Sequence, residues 1–358
     1  MSFVIGRESD VSGIDTTEPG QVATLGSYRA RDGSEGTELY LDLDGPPAVT
    51  VVGKRGYGKS YTLGVIAEGL ARTAGVAPVV VDPMGVFHTL EEPASGAAVD
   101  ATVVESPTIA PTTLDPRSWC SLLGLSPERG AGGLVWQAAQ EATTLDGMQT
   151  AIEHVDAPKV DRRAAHNHLA LADSWNVFDS DGLDAGALAT DEVTVLDVSG
   201  LDTAPMNAVV RGVGETLYRA RVDECIDRLP WLLVDEAHTF FDGVAAAALE
   251  RILTRGRAPG VSLVLATQRP SAVPAVGISQ SDILFAHRLT ARNDLDALEA
   301  AEPTYMRASL ERRLPTAPGE VFVIDDATES VHAATIRERA TPHGGESPSV
   351  SERPETDL

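Results

Sequence analysis

Hydrophobic residues in this chain cluster in short, mainly apolar runs, separated by longer stretches of mixed character. The clearest runs are residues 48–52, 77–81, 193–198, 231–234, 261–267 and 283–289. Continuous apolar runs of this length are typical of strands that are buried on both faces of a parallel sheet. Helical patterns at 59–72 and 205–222 lie between some of them. The alternation predicts an α/β fold with a mainly parallel sheet.

The pattern also divides the chain into four parts. Residues 1–47 are rich in Gly and Asp with two short β-like runs, which predicts a small β appendage or arm. Residues 118–180 have helical character and predict an insertion into the sheet domain. The sheet domain itself takes residues 48–117 and 181–339. Residues 340–358 are mostly small, polar and charged, with several prolines and no core-forming pattern, which predicts a disordered tail.

A phosphate-binding loop follows the first of these apolar runs. Residues 53–60 read Gly-Lys-Arg-Gly-Tyr-Gly-Lys-Ser and fit the pattern G-x-x-x-x-G-K-[ST] without deviation. In this motif main-chain N–H groups surround the phosphates, Lys59 reaches the β- and γ-phosphates, and the Ser60 hydroxyl ligates magnesium. We therefore predict ATP and Mg²⁺ as ligands. The predicted contacts are Gly53, Lys54, Arg55, Gly56, Tyr57, Gly58, Lys59, Ser60 and Tyr61.

Two adjacent carboxylates follow the apolar run at 231–234. We predict that Asp235 holds the magnesium ion and that Glu236 is the general base for the attacking water. Gln268 follows the next apolar run, where a side-chain amide can sense the γ-phosphate or the lytic water. His238 completes the letters Asp-Glu-Ala-His, but too little chain follows for the second domain of a DEAH-box helicase. This histidine is either a packed structural residue or a coupling residue.

The charge balance is strongly acidic. The formal net charge is −25, and lysine occurs only at positions 54, 59 and 159. This composition favours a haloarchaeal source with a salt-rich cytoplasm, where surface carboxylates are screened from one another. It argues weakly against nucleic acid as partner, although a ring can hold a basic pore inside an acidic shell.

Cysteine content and hydropathy indicate the compartment. Cys120 and Cys225 are far apart and show no metal-binding spacing, which fits a reduced interior. No run of 18 or more apolar residues occurs, and the first residues lack the apolar stretch of a signal peptide. We therefore expect a cytoplasmic protein without a membrane span.

Four segments together resemble the HerA-like ATPases of archaea and, more distantly, FtsK and the VirB4 and TraG conjugation ATPases. They are residues 53–62, 81–87, 235–238 and 256–270. The resemblance implies a RecA-like P-loop NTPase that assembles as a hexameric ring and moves duplex DNA through its pore in DNA processing or repair. It also implies a NurA-type nuclease as partner. Only about 50 residues precede the P-loop here, however, where HerA carries a full β-barrel, and this argues against nuclease docking through a barrel.

The resemblance also implies an arginine that acts across the subunit interface. Arg257 matches its position, and Arg255 is a nearby substitute. Arg211, Arg219 and Arg221 offer local positive charge for DNA. Two other functions are open at this point: a VirB4-like ATPase that drives protein secretion or conjugation, and a scaffold that is switched by ATP binding.

Overall fold

The computed structural model describes residues 3–7, 22–30, 33–92, 99–301, 305 and 310–345. Its strands are β1 Phe3–Ile5, β2 Val22–Arg29, β3 Glu35–Asp42, β4 Ala48–Val52, β5 Val76–Asp82, β6 Ala101–Val104, β7 Val193–Asp197, β8 Leu229–Val234, β9 Ser262–Thr267, β10 Ile283–Ala286, β11 Glu320–Asp325 and β12 Ser330–Ile336. Its α-helices are α1 Lys59–Leu70, α2 Pro116–Leu122, α3 Gly130–Glu141, α4 Leu145–His154, α5 Lys159–Asp173, α6 Ala185–Leu188, α7 Thr203–Val222, α8 Ala246–Arg255, α9 Ala275–Ser279 and α10 Arg292–Ala300. None of these helices is long and apolar enough to cross a membrane.

The strands that the structure describes form a single sheet with the order β1-β3-β2-β12-β11-β10-β4-β9-β8-β5-β7-β6. The seven strands from β10 to β6 run parallel to one another, whereas β10 pairs with β11 in the antiparallel direction. Strands β5 and β9 are buried along their whole length, because helices cover both faces of the sheet at its centre. The prediction of a mainly parallel α/β sheet is confirmed.

Two apolar layers hold helices α1 to α8 against the sheet, and a third apolar cluster holds α9 and α10. One layer contains the side chains of helices α2 to α8, with Trp119 and Phe240 among its fully buried members. The other lies under α1 and includes Phe87, Trp231 and Phe285. Helix α3 packs against α2, α4 and α5, so these four helices form one compact group. They occupy the segment for which the sequence predicts a helical insertion.

The N-terminal strands extend the sheet. Strands β2 and β3 pair as an antiparallel hairpin, and β12 pairs with β2 near Gly26. A Cβ atom at Gly26 would lie 1.9 Å from the carbonyl oxygen of Thr335, so only glycine permits this close approach. The segment predicted as an appendage or arm is therefore continuous with the main sheet where it is described. Residues 8–21 lie outside the described part of the chain.

The C-terminal segment is anchored to helix α1 by Glu68. This carboxylate is fully buried and accepts hydrogen bonds from the main-chain N–H groups of Ala340, at 3.0 Å, and Thr341, at 2.9 Å. Arg337 donates to it at 2.7 Å, and these hydrogen bonds lower the pKa of Glu68 against the opposing effect of burial. The predicted disordered tail begins at residue 340, and its first two residues, Ala340 and Thr341, are bound by this buried carboxylate. Residues 346–358 are not among those described.

Candidate functional site

Polar residues collect where the central parallel strands end. The loop 53–58 follows β4, Asp82 ends β5, Asp235 follows β8, and Thr267 ends β9. His287 follows β10. Because these strands are parallel neighbours, all five positions lie along one edge of the sheet. Ligands of open α/β sheets bind at this edge.

The loop after β4 has the conformation of an anion cradle. Gly56 and Gly58 have φ angles of 79° and 110°, which strongly favour glycine. Helix α1 begins at Lys59, so its N-terminal N–H groups point to the same place. The N–H of Lys54 donates to the carbonyl of Arg288 at 2.8 Å, which fixes the loop against the chain that follows β10.

Lys59 and Ser60 contribute side chains to this cradle. The Lys59 side chain is buried, and burial lowers its pKa against the raising effect of Glu236 and Asp235. The Ser60 hydroxyl donates to Oδ2 of Asp235 at 2.6 Å, so the loop after β4 and the end of β8 are in direct contact. The two residues predicted to bind magnesium are thereby brought together.

The donor set fits a magnesium ion. Asp235 is fully buried, and burial raises its pKa although Ser60 and the Glu236 N–H donate to it. A cation beside this carboxylate would offset the cost of burying its charge. No cluster of three or more His, Cys, Asp or Glu side chains suited to a metal occurs in the described ranges. Mg²⁺ commonly takes one or two protein oxygens together with phosphate oxygens and water, which Ser60 and Asp235 permit.

Glu236 has an unusual backbone conformation for a residue that is not glycine. Its φ and ψ angles are 43° and 42°, in the left-handed region. Oxygen Oε2 is buried and accepts no hydrogen bond from the described residues. Burial raises the pKa of Glu236, while Lys59 opposes that shift. A buried carboxylate with a free acceptor oxygen is suited to take a proton from a bound water.

His238 connects Glu236 with the turn after β9. Its Nδ1 lies 3.4 Å from Oε2 of Glu236 and 3.2 Å from the Thr267 hydroxyl oxygen. Burial lowers the pKa of His238, so the imidazole is neutral at neutral pH and the contact with Glu236 is not an ion pair. Thr267 also accepts from the N–H of Arg269, and this contact orders the turn that carries Gln268. These contacts favour the coupling interpretation of His238.

Gln268 leaves the sheet between the loop and the two carboxylates. Strand β9 lies between β4 and β8, and Gln268 is the first residue after β9. Its place is that expected of a residue that senses the γ-phosphate or the attacking water. The role itself stays a prediction.

The other predicted contacts are distributed around the loop. The Lys54 ammonium lies 4.4 Å from the centre of the Tyr57 ring. Arg55 is exposed, and its charge acts on Glu236. The Tyr61 hydroxyl accepts from the main-chain N–H of Arg339 at 2.7 Å and so faces the C-terminal segment. The nucleotide contact of Tyr61 stays a prediction, and it would have to be made by atoms other than the hydroxyl.

Arg257 lies at the opposite edge of the sheet. Its side chain is 85% exposed, and Nη1 is 3.8 Å from Oδ1 of Asp282. Asp282 accepts from the N–H of Ala48, the first residue of β4. The five residues of β4 span roughly 16 Å, so Arg257 is far from the loop of its own chain. Arg255 is also exposed.

The arginines proposed to give local charge for DNA are mostly used within the fold. Arg211 is 3% exposed and lies 3.0 Å from Asp115 and 3.7 Å from Glu215. Arg219 donates to Glu215 at 2.6 Å. Arg221 donates to main-chain carbonyls beyond the end of α7. Acidic and carbonyl groups of the fold therefore hold Arg211 and Arg221, so these two side chains do not present free positive charge to DNA.

Two residues at the carboxyl ends of the parallel strands, Asp82 and His287, had no function predicted from the sequence. Asp82 is buried and accepts from the N–H groups of Met84 and Phe87 at 3.1 and 2.7 Å. His287 is fully buried beside the phosphate-binding loop. The sequence carries a signal for each, because both come at the end of an apolar run whose neighbours carry the predicted site.

Known proteins share this architecture. The chain resembles VirB4 of Thermoanaerobacter pseudethanolicus with a TM-score of 0.66 and 16% identity, covering 91% of this chain and 98% of that one. It resembles the plasmid coupling protein TrwB, in a structure with ADP and Mg²⁺, with a TM-score of 0.55 and 14% identity, covering 94% and 98%. At these identities the likeness shows the fold alone, and it is the RecA-like fold of P-loop NTPases.

Sequence comparisons are more specific. The DNA double-strand break repair helicase HerA of Pyrococcus furiosus is 23% identical over 77% of this chain. The chain spans 62% of that relative's length. The family model of the central domain of helicase HerA matches residues 24–212, which begin in β2 and include the phosphate-binding loop. The chain belongs to this family, the HerA-like P-loop ATPases.

Proposed function

We propose that this protein is the motor subunit of a ring that couples ATP hydrolysis to movement along duplex DNA, in DNA processing or repair. Membership of the HerA central-domain family is the observation that carries this proposal. The relative that is named a double-strand break repair helicase supports the same substrate.

In this proposal each residue of the site has one task in the hydrolysis step. The loop N–H groups and Lys59 bind the β- and γ-phosphates, and Ser60 and Asp235 hold Mg²⁺, which would neutralise phosphate charge when bound. Glu236 orients a water and accepts its proton as the water oxygen bonds to the γ-phosphorus. The bond from that phosphorus to the β–γ bridging oxygen breaks, and ADP leaves. Gln268, the first residue after β9, senses through its side-chain amide whether the γ-phosphate is present.

The position of Arg257 supports a ring. An exposed arginine at the edge of the sheet away from its own phosphate loop can complete the site of a neighbouring subunit. A closed ring of such subunits contains one complete site at each interface. We propose a homo-hexamer, as the family resemblance implies.

The acidic charge shapes how DNA would be held. A net charge of −25 gives little general attraction to phosphate, and two of the three candidate arginines are held within the fold. Enclosure in a ring keeps DNA bound with few phosphate contacts. Few phosphate contacts also mean that the affinity for DNA depends weakly on salt. Each contact contributes about −0.9 to the slope of the logarithm of the binding constant against the logarithm of the salt concentration.

The test is ATP hydrolysis with and without duplex DNA over a series of potassium chloride concentrations. We expect linear and nicked circular duplexes to raise the steady-state rate severalfold. Lys59→Ala, measured beside the wild type, should be inactive with either DNA. Hydrolysis that no duplex stimulates at any salt concentration would favour the protein-moving alternative. Tight ATP binding without turnover would favour the scaffold.

A further inference from the structure

The side chain of His287 packs against the phosphate-binding loop. Cβ atoms built at Gly53 and Gly58 would lie 2.6 Å from the histidine Cβ and 3.3 Å from its Cε1. The glycines of the loop therefore pack directly against this side chain, which is fully buried. A change in the shape or position of the His287 side chain must therefore displace the loop, because the protein interior is closely packed.

Both ring nitrogens of His287 are engaged. Nδ1 lies 2.8 Å from the carbonyl oxygen of Glu320, which can only accept, so Nδ1 carries the proton. Nε2 lies 2.9 Å from the hydroxyl oxygen of Thr62 in α1. Burial lowers the pKa of His287 to about 4, so the ring is neutral and Nε2 accepts from Thr62. The ring thus joins the helix of the phosphate site to the first residue of β11.

We propose that His287 is a positioning residue that holds the phosphate-binding loop ready for ATP and couples its conformation to the 316–320 segment. This inference rests on the proposed ATP site. The histidine touches the loop and α1 but not the reacting atoms. Its effect should therefore appear in nucleotide affinity more than in the chemical step.

The 316–320 segment offers a route from the loop to the N-terminal strands. Arg288 donates to the carbonyl of Thr316 at 3.2 Å, and its guanidinium lies 5.9 Å from the centre of the Tyr57 ring in the loop. The carboxylate of Glu320 pairs with Arg29 of β2 at 2.7 Å. These contacts connect the phosphate-binding loop with β11 and β2. They are made by Arg288, which follows His287 in the chain, and by Glu320, whose carbonyl accepts from His287.

The experiment is equilibrium binding of a fluorescent ATP analogue to the full chain, with steady-state ATPase measured in parallel. His287→Leu removes both hydrogen bonds and should raise Kd and KM by roughly 10-fold while kcat changes less. His287→Gln keeps a donor and an acceptor and should restore part of the affinity. His332→Leu, a matched histidine change on β12, should bind as the wild type does.

Hydrogen exchange measures the proposed coupling between the phosphate-binding loop and the 316–320 segment. Main-chain hydrogen exchange of the 316–320 segment should slow when the analogue binds to the wild type, and should not slow in His287→Leu. If His287→Leu does not fold, Thr62→Val replaces it, because valine keeps the shape and removes the hydroxyl that Nε2 accepts from. A folded variant with wild-type Kd overturns the inference, as does lower kcat with unchanged Kd. Absence of binding by the wild type would instead overturn the proposed ATP site.

Discussion

Arg257→Ala should lower ATP turnover by about 10³- to 10⁵-fold while leaving ATP binding intact. A guanidinium near the γ-phosphate stabilises the charge that develops in the transition state. Arg257 is exposed and stands at the far edge of the sheet from its own loop, so we expect it to act only on a neighbour. Initial rates and nucleotide affinity, measured separately, check both halves of the expectation.

Mixed assemblies distinguish action in trans from a structural effect. Lys59→Ala lacks the phosphate-binding lysine but presents an intact arginine, and Arg257→Ala is its complement. Each alone should be nearly inactive, and the mixture should regain part of the activity at interfaces that pair intact partners. Arg255→Ala removes the substitute candidate, which is also exposed, and should stay active if Arg257 is the arginine that acts in trans. Full activity of Arg257→Ala, or no recovery in verified mixed assemblies, would contradict the assignment.

Glu236→Gln should slow hydrolysis by about 10²- to 10⁴-fold and trap bound ATP. Glutamine keeps the size of the side chain and can still accept a hydrogen bond from the attacking water, but it cannot take the proton. Single-turnover hydrolysis separates this loss from any change in binding. Glu224→Gln is a suitable control, because Glu224 is exposed and also has a positive φ, of 55°.

The dependence on pH should follow the same carboxylate. Burial raises the pKa of Glu236, and the base works only when deprotonated. The wild-type rate should therefore fall as pH decreases through a value above the ordinary range for glutamate. Hydrolysis in Glu236→Gln at the wild-type rate would show that another group is the base.

The sequence predicted what is encoded locally. The apolar runs predicted the parallel strands, because a strand buried on both faces needs an apolar residue at every position. The loop at 53–60 was predictable because its glycines and lysine act through fixed spacing. Asp235 was predictable as a neighbour of Ser60 because parallel strands bring their carboxyl ends together.

The remaining features depend on partners distant in the chain. Glu68 binds Arg337, 269 residues away, and nothing near either residue indicates the pairing. The sequence indicated Arg211 as a source of positive charge for DNA, but Asp115, 96 residues earlier, pairs with it. The positioning role of His287 is evident only from the loop that packs on it, because a histidine that follows a strand can have many other functions. In each case tertiary contact decides the function of a polar side chain.

Displacement of a third strand from duplex DNA tests the motor most directly. A labelled oligonucleotide bound as a triplex on a linear duplex should be released in the presence of ATP and Mg²⁺, later when it lies farther from the entry end. Glu236→Gln, which should bind ATP without hydrolysing it, should release none. ATP hydrolysis by the wild type without strand release, at every salt concentration tested, would contradict the account.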